Sequence, residues 1–297
     1  MTMVDVTPPN ERNPRVSGQP HSDKPASTPV FSILVPSYNP APFFETAIRS
    51  ALDQMGPDDE LLIQDAGSTD GTQEIIAELA RADQRVKPVI EPDRGQSDAL
   101  NRALARAKPS WVIWLNADDV ILPGALDGLR ETIVEHPEAD LFYGGSRIIR
   151  ADGTSVDFWP GRKMDLKKLL RQGPTSFSGS IVMRDATLRD MGGIMEERHC
   201  TMDYDLQMRI AQSNLRQVNV PFGIGALRFH EGAKSSNLAK TFIKEAYDIR
   251  MQYSHTPTEK LYGLWGSAWH VADMPVYRMR LSPTYRRFRR WLPAQLR

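Results

Sequence analysis

The sequence has little cysteine, no long apolar run and no excess of charge of either sign. Cys200 is the single cysteine among 297 residues. This excludes an internal disulfide framework and a zinc site built on several cysteines. No apolar run approaches the ~18 residues of a membrane span. The 37 basic and 37 acidic side chains balance, so overall charge gives no reason to expect nucleic acid as a partner.

The amino-terminal segment, residues 1–29, almost lacks large apolar residues and is rich in Pro, Ser, Asn and charge. A segment of this composition buries too little surface to offset its ordering entropy, so we expect a disordered tail. It also lacks a basic region followed by an apolar one, so no secretory signal is predicted. A cytoplasmic protein is the default expectation.

From residue 31 the chain contains a regular alternation of strand and helix patterns. Runs of strand length begin at Phe31, Glu60, Val86 and Trp111, and apolar residues at helical spacing separate them. This order predicts an α/β fold with a mostly parallel central sheet and flanking helices. Ser97 is a candidate cap for the third helix.

The later segments continue as a mixture of both patterns. We expect a hairpin at Asp152-Gly153, short strands over 217–222 and 226–229, and helices over 165–172, 203–211 and 238–254.

The fourth strand run, Trp111–Leu115, is followed closely by two adjacent carboxylates, Asp118 and Asp119. Open α/β folds bind ligands beyond the carboxyl ends of their strands. Two carboxylates there repel each other unless a cation lies between them, so the pair fits a divalent metal site. It equally fits a solvated loop in which one carboxylate caps the next helix. This stretch alone leaves both interpretations open.

Two further carboxylates, Asp65 and Asp93, follow the second and third strands. The tips of parallel strands converge at one edge of the sheet, although three unrelated helix caps would give the same pattern. Such an edge suits a nucleotide-sugar donor. A carboxylate can accept hydrogen bonds from uracil or ribose, and a hard cation neutralises the diphosphate as the glycosidic bond breaks.

Two residues further along the chain have matching chemistry. Asp203 opens a helix, whose N-terminus keeps a carboxylate ionised as a general base requires. His230 ends a strand, and a neutral imidazole is a good ligand for a transition cation. Spacing alone favours the ordinary interpretations, namely a helix N-terminal acid and a hydrogen-bonded histidine.

Taken together, several segments resemble the family 2 glycosyltransferases with the GT-A fold. The matching segments are Val35–Asn39, Gln64–Thr72, Asp93–Asn101, Trp114–Asp119, Met191–Gly193, Asp203–Leu206, and His230 with Ser235. The likeness covers roughly residues 30–235. Each segment alone is weak, but their order and intervals together make a strong signal.

The resemblance implies a Rossmann-like GT-A domain over residues 30–236 and a role for each matching residue. The nucleoside pocket would be lined by Pro36, Ser37, Tyr38, Asn39, Asp65, Asp93 and Asn101. Asn116-Ala117-Asp118 stands at the family's Asp-X-Asp motif, with Asn in place of the first Asp. Asn116 would hydrogen-bond the donor's ribose or sugar, and Asp119 would contact the donor sugar or support its neighbours.

The same resemblance implies the catalytic groups. Asp118 and His230 would hold Mg²⁺ or Mn²⁺, and Asp203 would be the base of an inverting, single-displacement transfer. Met202 stands where the family often has Glu. The implied enzyme moves a sugar from a UDP- or GDP-linked donor to a hydroxyl of a glycan or lipid-linked acceptor.

Residues 237–297 are expected to form a helical, basic extension. Its basic and aromatic stretch, residues 277–291, suits the inner face of a membrane, although a solvated helix or a partner-binding tail would have the same composition. The alternative function is an inactive, glycosyltransferase-like scaffold recruited to a membrane. A sugar-nucleotide pyrophosphorylase is disfavoured, because the loop Pro36–Pro40 has no glycine and no basic residue.

Overall fold

A computed structural model of the chain describes residues 29–230 and 238–281. Within these residues one mixed sheet contains the strands β1 (Phe31–Ser37), β2 (Glu60–Asp65), β3 (Val86–Ile90), β4 (Trp111–Trp114), β5 (Val120–Ile121), β6 (Leu141–Arg150), β7 (Ser155–Trp159), β8 (Ile181–Arg184) and β9 (Gln217–Phe229). The strand order is β3-β2-β1-β4-β8-β6-β9-β5, and β7 pairs with β6.

Helices cover both faces of this sheet. They are α1 (Ala41–Leu52), α2 (Thr72–Ala82), α3 (Gln96–Arg106), α4 (Ala125–Glu135), α5 (Leu166–Gln172), α6 (Asp185–Asp190), α7 (Met202–Gln212), α8 (Ala239–Gln252) and α9 (Pro257–Leu281). The predicted tail up to residue 28, Ser235 and residues 282–297 of the basic stretch lie outside the described residues.

The sheet has a parallel half and a mixed half. Strands β3, β2, β1 and β4 are parallel, which brings their carboxyl ends to one edge. Strand β8 is antiparallel to both β4 and β6. Strand β9 runs parallel to β6 and returns to the same edge beside β5. The tip of β9 therefore lies close to the segment that follows β4.

The core follows from the two-residue period of the buried strands. In β1, Phe31, Ile33 and Val35 pack into one cluster with α1, α2 and α4, whereas Leu34 packs into a second cluster with α3, α5 and α7. A strand with both faces covered is mostly apolar, which is why β1 appears as a nearly continuous apolar run in the sequence, interrupted by the buried Ser32.

The helices α8 and α9 pack on the second cluster. Ala246 and Ile249 of α8 are part of that cluster, and the buried Arg250 donates from Nε to the Leu170 carbonyl of α5 at 3.1 Å. A Cβ on Gly266 of α9 would lie 2.1 Å from the same carbonyl oxygen. Glycine at this position therefore allows α9 to approach the backbone of α5.

Most elements lie where the sequence predicts them, including the hairpin between β6 and β7. Two predictions differ from the structure. The strands expected over 217–222 and 226–229 are one strand, β9, with register irregularities against β6 near Gly145. Ser97 is not the cap of α3. The helix starts after Gly95, and Ser97 lies buried in its first turn.

Candidate active site

The loop after β2 is organised by Asp65, which is fully buried. One oxygen, Oδ2, accepts hydrogen bonds from the Ser37 and Ser68 hydroxyls, each at 2.6 Å. The other, Oδ1, accepts from the backbone N–H groups of Gly67 and Ser68 at 3.0 and 2.7 Å. The carboxylate thus ties the end of β1 to the end of β2. Its four hydrogen bonds come from Ser37 and from the loop that follows β2.

The loop after β1 is hydrogen-bonded to the loop after β2. Asn39 has a φ of 53°, a left-handed conformation that asparagine tolerates better than most residues. Its N–H donates to Ser68 Oγ at 2.8 Å, and its Oδ1 accepts from Thr69 N at 2.8 Å. Tyr38 is 68% exposed at the tip, whereas Pro36 is buried within β1. Donor binding by these residues stays a prediction.

The third strand tip brings another carboxylate towards the first two. Asp93 accepts a hydrogen bond from Gly95 N at 2.8 Å. Burial raises the pKa of Asp93; the Gly95 hydrogen bond opposes this rise, and the charges of Asp98 and Asp65 add to it. The charges of two strand tips therefore interact, as expected of a shared edge.

The tip after β4 meets the tip of β9. His230 Nε2 lies 3.0 Å from Asp118 Oδ2, with the two side chains 16% and 32% exposed. The imidazole also packs against Phe43 of α1, with ring centroids 4.6 Å apart. These two predicted metal ligands are 112 residues apart in the chain, and the fold places them in contact.

Arg228 contacts the backbone of Asp118 and the ring of Phe43, and its role was not predicted from the sequence. It is 5% exposed, and its Nε donates to the Asp118 carbonyl at 2.7 Å. The other end of the guanidinium donates to the carbonyls of Arg150 and Ala151 at 3.2 and 3.0 Å, and it lies 5.0 Å from the centroid of the Phe43 ring. One side chain thereby joins β9, the β6–β7 turn and the Asp118 backbone.

Asn116 and Asp119 form a second layer of contacts. Asn116 Oδ1 accepts from Trp114 Nε1 at 2.7 Å and from Gln96 Nε2 at 2.8 Å. Its Nδ2 donates to Asp119 Oδ2 at 2.7 Å. Asp119 Oδ1 accepts from Arg228 N at 2.7 Å. Because Asn116 and Asp119 are paired internally, the geometry favours a positioning role for both; direct contact with a donor stays a prediction.

The electrostatics of the carboxylate pair are unusual. Asp119 is 1% exposed. Burial raises its pKa well above the ordinary value, and the charge of Asp118 raises it further, while hydrogen bonds from Arg228 N and Asn116 oppose the rise. A cation bound beside Asp118 would relieve this repulsion.

Asp203 lies in the first turn of α7, as predicted. The segment before α7 is anchored by Glu245 of α8, which accepts hydrogen bonds from His199 N, Cys200 N and Thr201 Oγ1 at 3.0, 2.9 and 2.9 Å. A small cavity is lined by Gln96 and its neighbours at the start of α3 and by residues up to Met202 at the start of α7. Met202, the first residue of the helix that bears Asp203, therefore lines the same cavity as Gln96, which donates to Asn116.

Asn101 has a different set of contacts from those expected of a nucleoside ligand. Its Nδ2 donates to the Ile194 carbonyl and its Oδ1 accepts from Ile194 N, each at 2.8 Å. The neighbouring Gly193 has a φ of 70°, and a Cβ there would lie 2.5 Å from Asn101 Oδ1. Asn101 holds the 191–194 turn against α3, and its role in donor binding stays a prediction.

The residues present fit a divalent ion with two protein ligands. Adjacent ligands of a six-coordinate ion with bonds of ~2.1 Å lie about 3 Å apart, which is the separation of His230 Nε2 and Asp118 Oδ2. Within residues 29–230 and 238–281, no three His, Cys, Asp or Glu side chains cluster to hold an ion. Diphosphate oxygens would have to supply further ligands, as is usual for Mg²⁺ with phosphates.

Comparison with known families gives one decisive match. The model described as glycosyl transferase family 2 matches residues 32–189, more than half of the chain. This chain is a family 2 glycosyltransferase. The match includes the loops after β1, β2, β3 and β4, and therefore Asp65, Asp93 and Asp118. Asp203 and His230 lie beyond the matched residues.

Relatives of this glycosyltransferase have names from polysaccharide biosynthesis. TuaG of Bacillus subtilis (strain 168), named as a glycosyltransferase of teichuronic acid biosynthesis, is 36% identical over 130 residues, 43% of this chain and 51% of TuaG. Chondroitin synthase of Pasteurella multocida (strain Pm70) is 28% identical over 187 residues, 62% of this chain and 19% of the synthase. The chain thus spans about half of the first relative and about a fifth of the second.

Solved structures agree on the fold. TarS 1–349 of S. aureus in complex with UDP-GlcNAc superposes with a TM-score of 0.60 at 20% identity, covering 78% of this chain and 69% of that one. The same protein in complex with UDP gives 0.58 at 18% identity, covering 89% and 76%. The predicted GT-A fold is confirmed by this likeness and by the mixed, helix-flanked sheet.

Sequence reasoning missed three side chains that contact the residues of the candidate site. Arg228, Gln96 and Phe43 act through contacts that join distant segments. Arg228 alone gave a signal, because a charged residue within the otherwise apolar run Ala226–Phe229 is unusual. Buried charge in a strand that ends at a candidate ligand is a reason to suspect a positioning role.

Proposed function

We propose that this family 2 glycosyltransferase is metal-dependent and inverting. It moves a sugar from a UDP- or GDP-linked donor to a hydroxyl of a glycan or lipid-linked acceptor. The observation that supports it best is the pairing of Asp118 Oδ2 with His230 Nε2 at 3.0 Å, at the edge where Asp65 and Asp93 also lie. When bound there, Mg²⁺ or Mn²⁺ neutralises the charge that develops on the departing diphosphate.

A uridine donor is the first candidate. TarS, a structural neighbour, has been solved with UDP-GlcNAc and with UDP, and the loops that contain Asn39, Asp65 and Asp93 follow neighbouring parallel strands at one edge of the sheet. Names among the relatives come from polysaccharide biosynthesis, which supports a glycan acceptor. Product analysis identifies the donor sugar and the linkage.

Asp203 takes the proton from the attacking hydroxyl in this proposal. Its carboxylate lies in the first turn of α7, where the helix dipole favours the ionised form. Transfer in one displacement, with Asp203 as the base and the acceptor hydroxyl as the nucleophile, would invert the anomeric centre. The cavity lined by Gln96 and Met202 supports this assignment, because Met202 precedes Asp203 and Gln96 donates to Asn116.

The reaction is tested with a panel of UDP- and GDP-sugars. We expect one donor to release nucleotide diphosphate in the presence of Mn²⁺ and a suitable acceptor, and EDTA to stop the release. The anomeric configuration of the product should be opposite to that of the donor. Turnover that persists in EDTA would overturn the metal dependence. Calorimetry that detects no metal-dependent binding of UDP or GDP would favour the inactive scaffold instead.

The base is tested by Asp203→Asn. We expect transfer to fall by at least about a hundredfold, with donor affinity unchanged, since the amide keeps the shape but cannot accept the proton. Asp127→Asn is the matched control, because Asp127 is also an acid in the first turn of a helix, α4, and its side chain is 76% exposed. Full transfer by Asp203→Asn would mean that this carboxylate is only a helix N-terminal acid.

A further inference from the structure

The helix α9 has an apolar face that is uncovered in the described part of the chain. Its members are Leu261, Leu264, Trp265, Trp269 and Val271, which are 64%, 49%, 60%, 57% and 50% exposed. At 100° per residue these positions fall within an arc of about 160° on one side of the helix. Residues 261–272 contain no Asp, Glu, Lys or Arg. We name these five residues the α9 face.

The opposite side of the same helix explains why this face points outward. Gly263 and Gly266 are the contact points with the rest of the protein, and a Cβ on either would lie within 3 Å of neighbouring atoms of α8 or α5. His270 stacks on Phe242 of α8, with ring centroids 5.3 Å apart. The helix is therefore fixed by its small residues and leaves its large apolar residues exposed. Single exposed apolar residues are ordinary, but a continuous stripe with two tryptophans marks an interaction surface.

Cations border the α9 face. Lys167 Nζ and the Arg171 guanidinium of α5 lie 5.3 and 5.5 Å from the ring centroid of Tyr262, the residue next to Leu261. Lys163 and Lys168 are also exposed at this end of the domain, and Asp165 is the single acid between residues 163 and 171. In sequence, residues 282–297 then add five arginines and no acid.

We propose that the α9 face docks on the surface of an anionic lipid bilayer. Tryptophan and leucine insert at the depth of the headgroups, and neighbouring lysine and arginine bind lipid phosphates. The helix lies on the surface in this arrangement. None of the helices in residues 29–230 and 238–281 is long and apolar enough to cross a membrane.

Charge decides between a bilayer and a second copy of this chain. A two-fold dimer through the α9 face would bring the same patch together from both copies. The cations of α5 would then approach their own equivalents, with Asp165 as the single acid among residues 163–171 to balance them. Anionic headgroups match both the apolar stripe and its cationic border. The proposal does not depend on the donor or the metal.

The experiment is sedimentation of the full chain with vesicles of phosphatidylcholine, with and without phosphatidylglycerol. We expect binding to the anionic vesicles only, weakened by salt. Trp265→Ser with Trp269→Ser should weaken it by at least about tenfold, and Lys167→Glu with Lys168→Glu should weaken it in the same direction. Because all four side chains are exposed, thermal unfolding midpoints should match the wild type.

Two matched controls keep the result specific. Trp159→Ser removes an exposed tryptophan on β7, and Arg81→Glu reverses an exposed charge on α2; both should bind vesicles like the wild type. Equal binding of the double tryptophan variant and the wild type would overturn the proposal, as would equal binding to neutral vesicles. Sedimentation velocity showing a dimer that the tryptophan variant dissociates, without vesicle binding, would also overturn it.

Discussion

Replacement of Arg228 tests how the site is held in place. The guanidinium donates three hydrogen bonds to backbone carbonyls, at 2.7, 3.2 and 3.0 Å. A hydrogen bond with one charged partner contributes about 1.5–3 kcal/mol, and bonds made by one side chain do not add fully. Arg228→Met keeps most of the apolar stem but removes all three. We expect the free energy of unfolding to fall by about 3 kcal/mol.

The same change should weaken the metal site, because Arg228 fixes the Asp118 backbone and stacks on the ring that contacts His230. Loss of a group that orients a metal ligand typically costs about 10- to 100-fold in metal affinity. Stability is measured by urea unfolding. Metal affinity is measured by calorimetric titration of Mn²⁺ into protein with UDP, at a temperature where the variant is folded. Arg228→Lys, which keeps the charge but cannot span the three carbonyls, should lie between.

Arg147→Met is the matched control for this experiment. Arg147 is exposed on β6, and its Nη1 donates a long hydrogen bond of 3.5 Å to Ser155 Oγ. Its replacement should change the free energy of unfolding by no more than about 0.5 kcal/mol. Unchanged stability in Arg228→Met would refute the hydrogen-bond argument. Reduced stability with unchanged metal affinity would limit Arg228 to a structural role.

Two further substitutions probe the neighbouring contacts. Glu245→Gln should reduce the free energy of unfolding by about 1–2 kcal/mol at neutral pH, because three hydrogen bonds to residues 199–201 lose a charged acceptor. Burial raises the pKa of Glu245, but together those hydrogen bonds lower it by more, so the pKa lies below its ordinary value. The contribution of the Glu245 carboxylate to stability is therefore present above the unfolded pKa and is lost as pH falls through the folded pKa. The urea midpoints of the wild type and the variant should then converge in acid. A difference between the midpoints that stays constant with pH would contradict this. Asn116→Asp should be destabilising by about 2–4 kcal/mol, because it replaces the donor to the buried Asp119 with a second carboxylate. Wild-type stability of this variant in urea would mean that Asn116 Nδ2 is not that donor.

The parallel half of the fold could be predicted from sequence because each of its strands is local and buried. Phe31–Val35 and Leu61–Ile63 lie between helices on both sides, so every position except Ser32 is apolar, and the length of each run then separates strand from helix. Strand β9 could not be predicted as one element. Pro221, Gly223 and Gly225 interrupt its pattern, and a Cβ on Gly225 would lie 2.7 Å from the Gly179 carbonyl. That requirement comes from a segment about 45 residues away.

The residues of the candidate site also divide into those whose position could be predicted from the sequence and those whose position could not. Asp65, Asp93 and Asp118 could be placed at one edge, because strand tips converge by topology alone. The approach of His230 to Asp118 was expected from the resemblance, since neither residue's spacing predicts it. The internal pairing of Asn101 with Ile194, and that of Asp119 with Arg228, depended on packing between segments more than 90 residues apart. Propensity and periodicity contain no information about such contacts.

The asparagine that replaces the first aspartate of the family motif has a chemical reason in this fold. Asn116 accepts from Trp114 and Gln96 through one atom and donates to Asp119 through another. An aspartate could accept the first two bonds, but it has no proton for the third and would face Asp119 at about hydrogen-bond distance. Because Asp119 is buried, that repulsion would be weakly screened. The amide therefore preserves the arrangement around Asp118, the residue that we propose as a ligand of the cation.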